Sequence, residues 1–361
     1  MKKLLLAVTL TLSGFILGWL GYKVFSSRQV NLAVSEPRPR PLDKYTIENL
    51  AKTEIPAGKI NIKDKIKEGE KYTSYLFEFE FNSNLDGKTF KKTTGQINLP
   101  SRPEASGPEA KSFPIIVMFR GYVDQNIYTT GMGTKNSSAY FAQNGFVTIA
   151  PDFLGYAGSD SEAGNIFESR FQTYVTALSL LKTLEVLQSH PELISGSSPL
   201  TQLLTTHNSQ LALWAHSNGG QIALTILEIT GKSYPTTLWA PVSKPFPYSI
   251  LYYTDESDDG GKLIRRELAK FEEDYDTDLY SLTKYLDRIY APLAIHQGTS
   301  DDAVPFAWTD TLVTILKKQG NDVTYFKYPG ADHNLTPGWD SAVERSLEFY
   351  KTYTNQEVKT D

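Results

Sequence analysis

Residues Leu211–Gln221 read LALWAHSNGGQ, and this stretch decides the fold class of the 361-residue chain. Its first part, Leu211–Ala215, is an apolar run of strand length, and Gly219–Thr230 has the composition of a helix that ends at Gly231. Ser217 therefore lies in a sharp turn that leads from a strand directly into a helix, where neighbouring side chains must be small. A serine that only caps the helix would fit the same letters, so the rest of the chain has to distinguish the two.

Apolar runs and helical stretches alternate along most of the chain around this turn. Strands are predicted over residues 72–81, 92–99, 113–119, 146–150, 211–215, 236–240, 292–296 and 323–328, and helices over 137–144, 167–189, 219–230, 306–319 and 341–354. The continuous apolar run 113–119 is typical of a strand that is buried on both faces. Such alternation predicts an α/β fold, with a mostly parallel central sheet, helices on both faces and antiparallel leading strands. Helix 167–189 is expected to be amphipathic.

A single domain is predicted over residues 72–355, interrupted by an inserted cap over 244–290. The cap is rich in Tyr, Asp and Glu and falls between two predicted strands. Its acidic cluster, Glu272–Asp278, either selects a cationic substrate or forms a solvated helix face. We expect three cap tyrosines to line the way to the substrate, namely Tyr248, Tyr252 and Tyr253.

The N-terminal segment, residues 1–23, has the features of a signal anchor. Leu4–Tyr22 carries no charge and would span about 28 Å as a helix, close to the roughly 30 Å hydrocarbon core of a bilayer. Because no small-x-small cleavage site follows, we expect a single-pass membrane anchor with the domain outside the cytoplasm; the alternative is secretion after signal cleavage. Residues 24–71, which include the Pro-rich stretch Ser35–Pro41, are predicted to be a linker and leading segment.

The composition excludes several kinds of chemistry. The chain has no cysteine, which excludes disulfides, thiolate metal sites and a cysteine nucleophile. A formal net charge of −5 argues against a nucleic-acid partner. The five histidines do not have the H-E-x-x-H spacing, and neither a metal site nor a cofactor is predicted. Chemistry that uses Ser, His, Asp and Glu remains.

An acid and a histidine follow Ser217 in the chain, each directly after a predicted strand. Strand 292–296 is followed by QGTSDDAVP, which contains Asp301 and Asp302. The last strand, 323–328, is followed by PGADHN, which contains His333. Because the carboxyl ends of parallel strands meet at one edge of a sheet, we expect these side chains to lie near Ser217. Asp301 is the preferred acid because it is nearer the strand end, and Asp302 remains the alternative.

These motifs resemble the α/β-hydrolase superfamily and, within it, the catalytic domain of the prolyl oligopeptidase (S9) serine peptidase family. A-H-S-N-G-G is similar to that family's G-x-S-x-G-G, with Ala215 at the first glycine, and H-Q-G-T-S-D-D-A-V-P is similar to H-G-T-x-D-D-x-V-P. The resemblance implies the α/β-hydrolase fold and a catalytic triad of Ser217, Asp301 and His333. It also implies a small peptide or ester substrate and no cofactor.

The segment expected to stabilise the oxyanion departs from the family pattern. After strand 113–119 the family carries His-Gly or Tyr-Gly, whereas this chain has Arg120-Gly121-Tyr122. We therefore expect the backbone N–H groups of Asn218 and Tyr122 to stabilise the oxyanion. Arg120 either contacts the oxyanion, binds a substrate carboxylate, or holds the loop through a salt bridge.

The resemblance implies a serine hydrolase that cleaves peptide acyl bonds through a covalent acyl-enzyme. A carboxylesterase is the alternative, and a catalytically silent fold used as a binding module is the third reading. His216 and His296 are expected to be packing residues, and Asp152 and Asp160 to accept hydrogen bonds within a loop. The oligomeric state is not predicted.

Overall fold

The computed structural model describes residues 39–101, 113–189 and 210–354, and within these ranges a nine-stranded sheet is flanked by helices. The strands are β1 (Lys59–Glu68), β2 (Tyr72–Asn82), β3 (Phe90–Pro100), β4 (Ile115–Phe119), β5 (Val147–Pro151), β6 (Leu211–His216), β7 (Thr236–Trp239), β8 (Leu293–Gly298) and β9 (Val323–Tyr328). The helices are α1 (Ile47–Lys52), α2 (Lys135–Gln143), α3 (Ile166–Ser189), α4 (Asn218–Thr230), α5 (Tyr248–Leu251), α6 (Lys262–Asp274), α7 (Phe306–Lys318) and α8 (Trp339–Thr354).

The strand order in the sheet is β1-β2-β3-β5-β4-β6-β7-β8-β9. The first three strands pair antiparallel, as does β3 with β5, and all pairs from β5 to β9 are parallel. The α/β-hydrolase fold, with a mostly parallel central sheet, is therefore confirmed. Because β4, β6, β7, β8 and β9 are parallel, their carboxyl ends lie at the same edge of the sheet. The loops that follow these strands are therefore brought together at that edge.

Each predicted strand and helix is present, with ends that agree within two residues. The expectation that helix 167–189 is amphipathic is wrong, because all side chains from Tyr174 to Leu181 are buried. The helix packs against the sheet on one side and is covered on the other, where Phe171 contacts the rings of Tyr45 and Tyr280 at 5.9 and 4.7 Å between centroids. A helix enclosed in this way needs no polar face.

The domain begins earlier than predicted, because residues 41–71 are part of it. The compact unit starts at Pro41, β1 pairs with β2, and Tyr45 and Leu50 are each 1% exposed in the main core. The prediction of a linker up to residue 71 is therefore wrong for this part. The sequence analysis missed β1, a lysine-rich edge strand in which only Ile60 and Ile62 are partly buried; such a composition protects sheet edges from aggregation.

The predicted signal anchor, residues 1–23, lies outside the described residues, as does the linker up to residue 38. In the described part of the chain, no helix has the length and apolar character needed to cross a bilayer.

The insertion 244–290 lies between β7 and β8 and is built of short helices. Its apolar side chains join the main core instead of forming a separate lid; they are Phe246, Leu268, Phe271, Tyr280, Leu282, Tyr285, Leu286 and Ile289. The acidic cluster is mostly exposed, and Asp278 pairs with Lys284 at 2.7 Å. This placement agrees with a solvated helix face.

The three cap tyrosines contact the loop and the helix that follow β8. The rings of Tyr248 and Tyr252 pack on Trp308 at 5.9 and 4.6 Å between centroids, and the Tyr253 hydroxyl donates to the carbonyl of Ala303 at 3.1 Å. They line neither of the two cavities described below. The first part of the insertion therefore supports the loop after β8.

Replacement of Leu50 tests whether residues 41–52 are integral to the domain. Leu50→Ala removes a buried side chain of α1, which packs against α4, and should lower the free energy of unfolding by about 2–5 kcal/mol. The control is Glu54→Ala, an exposed position that should change it by less than about 0.5 kcal/mol. Urea unfolding of both variants is the measurement, and equal midpoints would mean that this segment only rests on the surface.

Candidate active site

Ser217 occupies the turn between β6 and α4 in a backbone conformation that is rare for a residue with a side chain. Its φ is +56° and its ψ is −122°. Two hydrogen bonds hold the turn against β7: the Ser217 N–H donates to the carbonyl of Trp239 at 2.9 Å, and the N–H of Val242 donates to the Ser217 carbonyl at 3.0 Å. Strain of this kind costs about 1–3 kcal/mol and persists only where its surroundings impose it.

Two glycines next to Ser217 allow backbone segments to approach closely. A Cβ at Gly219 would lie 2.0 Å from the carbonyl oxygen of Phe119, so only glycine fits at this second position of α4. A Cβ at Gly121 would lie 2.9 Å from the Cβ of Ser217, so the loop after β4 runs directly past the serine. Ala215, at the first glycine of the family motif, is fully buried.

Asp301 and His333 meet at the same edge of the sheet, after β8 and β9. The Nδ1 atom of His333 lies 3.1 and 3.0 Å from the two carboxylate oxygens of Asp301. The Asp301 side chain is 0% exposed and also accepts the N–H groups of Ala303 and Val304 at 3.0 and 2.8 Å. The structure thus brings together the acid and the histidine that the sequence singled out, whereas Asp302 is exposed.

The pKa of Asp301 lies below its ordinary value. Burial alone would raise this pKa. Its effect is outweighed by hydrogen bonds from His333 and from the Val304 N–H, by the charge of His333, and by the hydrogen bond from the Gln297 amide. The carboxylate is therefore ionised at neutral pH and can orient the imidazole. The Nε2 of Gln297 donates to Asp301 at 2.8 Å. The sequence analysis did not predict this contact, because it depends on how β8 is aligned in the sheet.

His216 packs directly on His333. Their ring centroids are 4.6 Å apart, and His216 Nε2 lies 3.0 Å from the backbone carbonyl of His333. Burial, with the repulsion of His333, lowers the pKa of His216 to about 4, so this ring is neutral at physiological pH. His216 therefore acts as a packing residue that supports the histidine loop.

His296 is fully buried in β8. Its Nδ1 lies 2.8 Å from the Tyr328 hydroxyl, and its Nε2 lies 3.3 Å from the Ser346 hydroxyl. Burial, together with the charge of Arg345, lowers its pKa to about 3. The expectation that His296 is a packing residue is confirmed.

Arg120 is buried and holds the loop that follows β4. Its Nη1 and Nη2 donate to the carbonyls of Gly121 and Asp152 at 2.9 and 3.0 Å, and its guanidinium lies 3.9 Å from the ring centroid of Tyr156 and 4.4 Å from that of Tyr128. Of the expected roles, the loop-holding one agrees with this geometry. It works through carbonyls and aromatic faces, however, and not through a salt bridge.

Asp152 and Asp160 accept hydrogen bonds from their surroundings, as predicted. Asp152 is fully buried and accepts the hydroxyls of Thr94 and Tyr128, each at 2.6 Å. Asp160 accepts the N–H of Lys92 at 2.7 Å. Both carboxylates therefore fix the loop after β5 to its neighbours.

The two residues expected to stabilise the oxyanion are Asn218, which directly follows Ser217, and Tyr122, which follows Gly121. Asn218 is the first residue of α4, so its N–H has no intrahelical acceptor and points out of the positive end of the helix. The side chain of Tyr122 is exposed. Both residues line a common cavity.

Two cavities flank the serine turn. The oxyanion-side cavity measures about 350 Å³ and is lined by residues that include Tyr122, Asn218, Arg120, Arg170, Glu162 and Gln221. The histidine-side cavity measures about 880 Å³ and is lined by residues that include His216, Asn334, Trp214, Trp239, Trp339 and Tyr140. The first thus combines charged and polar side chains with apolar ones such as Phe153, Leu154 and Ile222, and the second has an aromatic wall.

Comparisons with known proteins agree with this architecture. The sequence model of the prolyl oligopeptidase family matches residues 186–357. An uncharacterized peptidase of Bacillus subtilis (strain 168) is 22% identical over 229 residues, which cover 63% of this chain and 79% of that protein.

Two solved structures share the fold. A puromycin-hydrolyzing peptidase of Mycobacterium tuberculosis superposes with a TM-score of 0.52 at 18% identity, over 74% of this chain and only 38% of that one. An acetyl xylan esterase of Paenibacillus sp. R4 superposes with a TM-score of 0.56 at 15% identity, over 84% of this chain and 91% of that one. These structures share the fold of this chain, and both the family model and the Bacillus relative are peptidases of the kind that the sequence motifs resemble. The predicted resemblance of the chain to the prolyl oligopeptidase family is confirmed.

Acid should destabilise the fold through His296. In the unfolded chain this residue binds a proton below about pH 6.5, whereas in the folded protein it stays neutral down to about pH 3. Between these values the unfolded state binds more protons, so the free energy of unfolding should fall as the pH falls, by up to about 1.4 kcal/mol per pH unit.

Urea unfolding between pH 6 and pH 4 measures this slope. His296→Gln should make it shallower, whereas Tyr328→Phe should keep it, because burial rather than the hydrogen bond is the main cause of the low pKa. An unchanged slope in His296→Gln would contradict the assignment.

Proposed function

We propose that the protein hydrolyses peptide or small ester acyl bonds through a covalent acyl-enzyme, with Ser217, His333 and Asp301 as its catalytic triad. The observation that carries this proposal is the pairing of His333 Nδ1 with a buried Asp301 carboxylate, at the same sheet edge as a serine held in a strained strand-to-helix turn. A serine that only caps α4 would need neither partner. Its side chain in fact makes no capping hydrogen bond to the helix.

In the proposed reaction, Ser217 Oγ attacks the substrate carbonyl while His333 Nε2 takes its proton. The imidazolium then donates that proton to the leaving group, and a water molecule repeats the sequence to release the acid. Asp301 keeps the Nδ1–H tautomer and stabilises the imidazolium. The N–H groups of Asn218 and Tyr122 would stabilise the oxyanion, and loss of one such donor costs about 2.7–4 kcal/mol in the transition state.

The proton transfer in the proposed reaction indicates which part of the substrate each cavity would hold. The leaving group receives its proton from His333, so it belongs in the histidine-side cavity, which His216 and Asn334 line. The acyl group then occupies the oxyanion-side cavity, which borders Asn218 and Tyr122. At about 350 Å³ this cavity suits a short acyl group and not a long fatty-acyl chain.

A carboxylesterase is the second candidate, because this cavity would accept a short acyl group from an ester as readily as from a peptide. The acidic cluster Glu272–Asp278, for which selection of a cationic substrate was one of two expected roles, does not line either cavity. Values of kcat/KM for an aminoacyl p-nitroanilide and the matched p-nitrophenyl ester, each with a free and an acetylated amino group, separate the candidates.

Substitution of the triad tests the proposal. Ser217→Ala and His333→Ala should each lower kcat by about 10⁴–10⁶ without loss of folding, because the members act as a unit, and Asp301→Asn should lower it by about 10⁴. Asp302→Asn is the matched control and should stay close to wild type. A large loss in Asp302→Asn with none in Asp301→Asn would contradict the choice of acid.

Labelling with a fluorophosphonate provides a second readout, since the reagent requires an activated serine. Wild type should react at Ser217 and Ser217→Ala should not. An unlabelled wild type would favour the catalytically silent binding module.

We also propose that residues 4–22 anchor the protein in a membrane, with the catalytic domain outside the cytoplasm. The proposal rests on the nineteen uncharged residues between Lys3 and Lys23. Protease added to intact cells should digest the domain and leave a cytoplasmic control protein uncut. Protection of the domain until lysis would reverse the proposed orientation, and recovery of the whole domain from the medium would indicate signal cleavage.

A further inference from the structure

The oxyanion-side cavity contains an arginine whose charge the reaction scheme does not use. Arg170 lies on α3 and lines this cavity together with Asn218. Its Nη2 donates to the side-chain oxygen of Gln221 at 2.7 Å, and Gln221 in turn donates to the Tyr174 hydroxyl at 3.3 Å. The guanidinium is therefore held in place at the wall of the cavity.

Part of the Arg170 guanidinium has no partner. Its Nε is buried and makes no hydrogen bond, and none of the ion pairs among the described residues includes Arg170. A buried, unpaired N–H of a charged group is unfavourable, and a guanidinium is suited to bind a carboxylate through two parallel hydrogen bonds. The cavity wall therefore carries a guanidinium whose charge is not paired with a carboxylate among the described residues.

The other charged residues of the cavity are already engaged. Both carboxylate oxygens of Glu162 accept hydrogen bonds, from Gln125 at 3.3 Å and from Ser169 at 2.5 Å, and the residue is exposed. The Nε of Arg120 is also buried without a hydrogen bond, but its Nη1 and Nη2 donate to two backbone carbonyls and its guanidinium lies 3.9 and 4.4 Å from the ring centroids of Tyr156 and Tyr128. Arg170 is thus the cation best placed to meet a ligand.

We propose that the oxyanion-side cavity binds an acyl group that carries a carboxylate, and that Arg170 recognises this carboxylate. Substrates of this class are half-esters of short dicarboxylic acids and acyl donors whose reacting residue is acidic. The inference rests on the proposed function, because it assigns the acyl group to this cavity. Hydrolysis of such a half-ester needs only water, which adds to give the dicarboxylate and the alcohol.

Two esters that differ only in charge test the proposal: p-nitrophenyl hemisuccinate and its methyl ester, in which the free carboxylate is blocked. Wild type should have a kcat/KM at least about 10-fold higher for the hemisuccinate, as expected for a charge-assisted hydrogen bond in a partly buried site. Arg170→Gln should bring the ratio of the two values close to one. Arg170→Lys keeps the charge but not the planar donor pair, and should retain an intermediate ratio.

The control is Arg266→Gln, on α6, whose side chain is exposed and pairs with Glu267. It should keep the wild-type ratio, because Arg266 does not line the cavity. A second measurement uses the wild type alone, so it does not depend on the folding of any variant. Free succinate should inhibit hydrolysis of the methyl ester competitively, and less strongly as the salt concentration rises.

The outcomes separate the inference from the proposed function. If wild type hydrolyses the methyl ester as fast as the hemisuccinate and succinate does not inhibit, the carboxylate site is overturned while the hydrolase remains. An unchanged ratio in Arg170→Gln overturns the role of Arg170. If wild type hydrolyses neither ester nor any of the peptide substrates and is not labelled by a fluorophosphonate, the proposed function itself fails.

Discussion

The strained turn at Ser217 is the constraint on which the rest of the site depends. A side chain at positive φ is tolerated there because β7 holds the turn through Trp239 and Val242. The same closeness requires glycine at 219 and brings the loop of Gly121 against the serine. β7 also pairs with β8, and β8 pairs with β9. The loops that carry Asp301 and His333 therefore follow strands of the same sheet and lie at the same edge as this turn.

Burial and hydrogen bonding together determine the charge states of Asp301, His216 and His296. Asp301 is kept ionised although it is buried, because three kinds of donor offset the cost of desolvation. For His216 and His296, burial outweighs the effect of their hydrogen-bond partners on the pKa, so both are neutral and pack as aromatic rings. Arg120 keeps its charge between two tyrosine rings and two carbonyls, and in this way replaces a salt bridge as the fastening of the loop after β4.

The two cavities differ in chemistry because they lie over different parts of the fold. The oxyanion-side cavity is bordered by the loops after β4 and β5 and by helix α3, which contribute arginine, glutamate and glutamine side chains. The histidine-side cavity borders α2 and the loop after β9, and takes its tryptophans from β6, β7 and the start of α8. A substrate that spans the serine would thus meet a charged wall with its acyl side and an aromatic wall with its leaving group.

The sequence by itself determined the order of strands and helices, the turn at Ser217 and the candidate residues Asp301 and His333, because apolar periodicity and strand-end motifs are local signals. Only the tertiary structure decided that residues 41–71 belong to the domain, since the edge strand β1 buries Ile60 and Ile62 only in part and is otherwise exposed. The same holds for the packing of the insertion, the partners of Arg120 and the buried Nε of Arg170, which makes no hydrogen bond. Each of these depends on contacts between residues far apart in the chain, which no local pattern encodes.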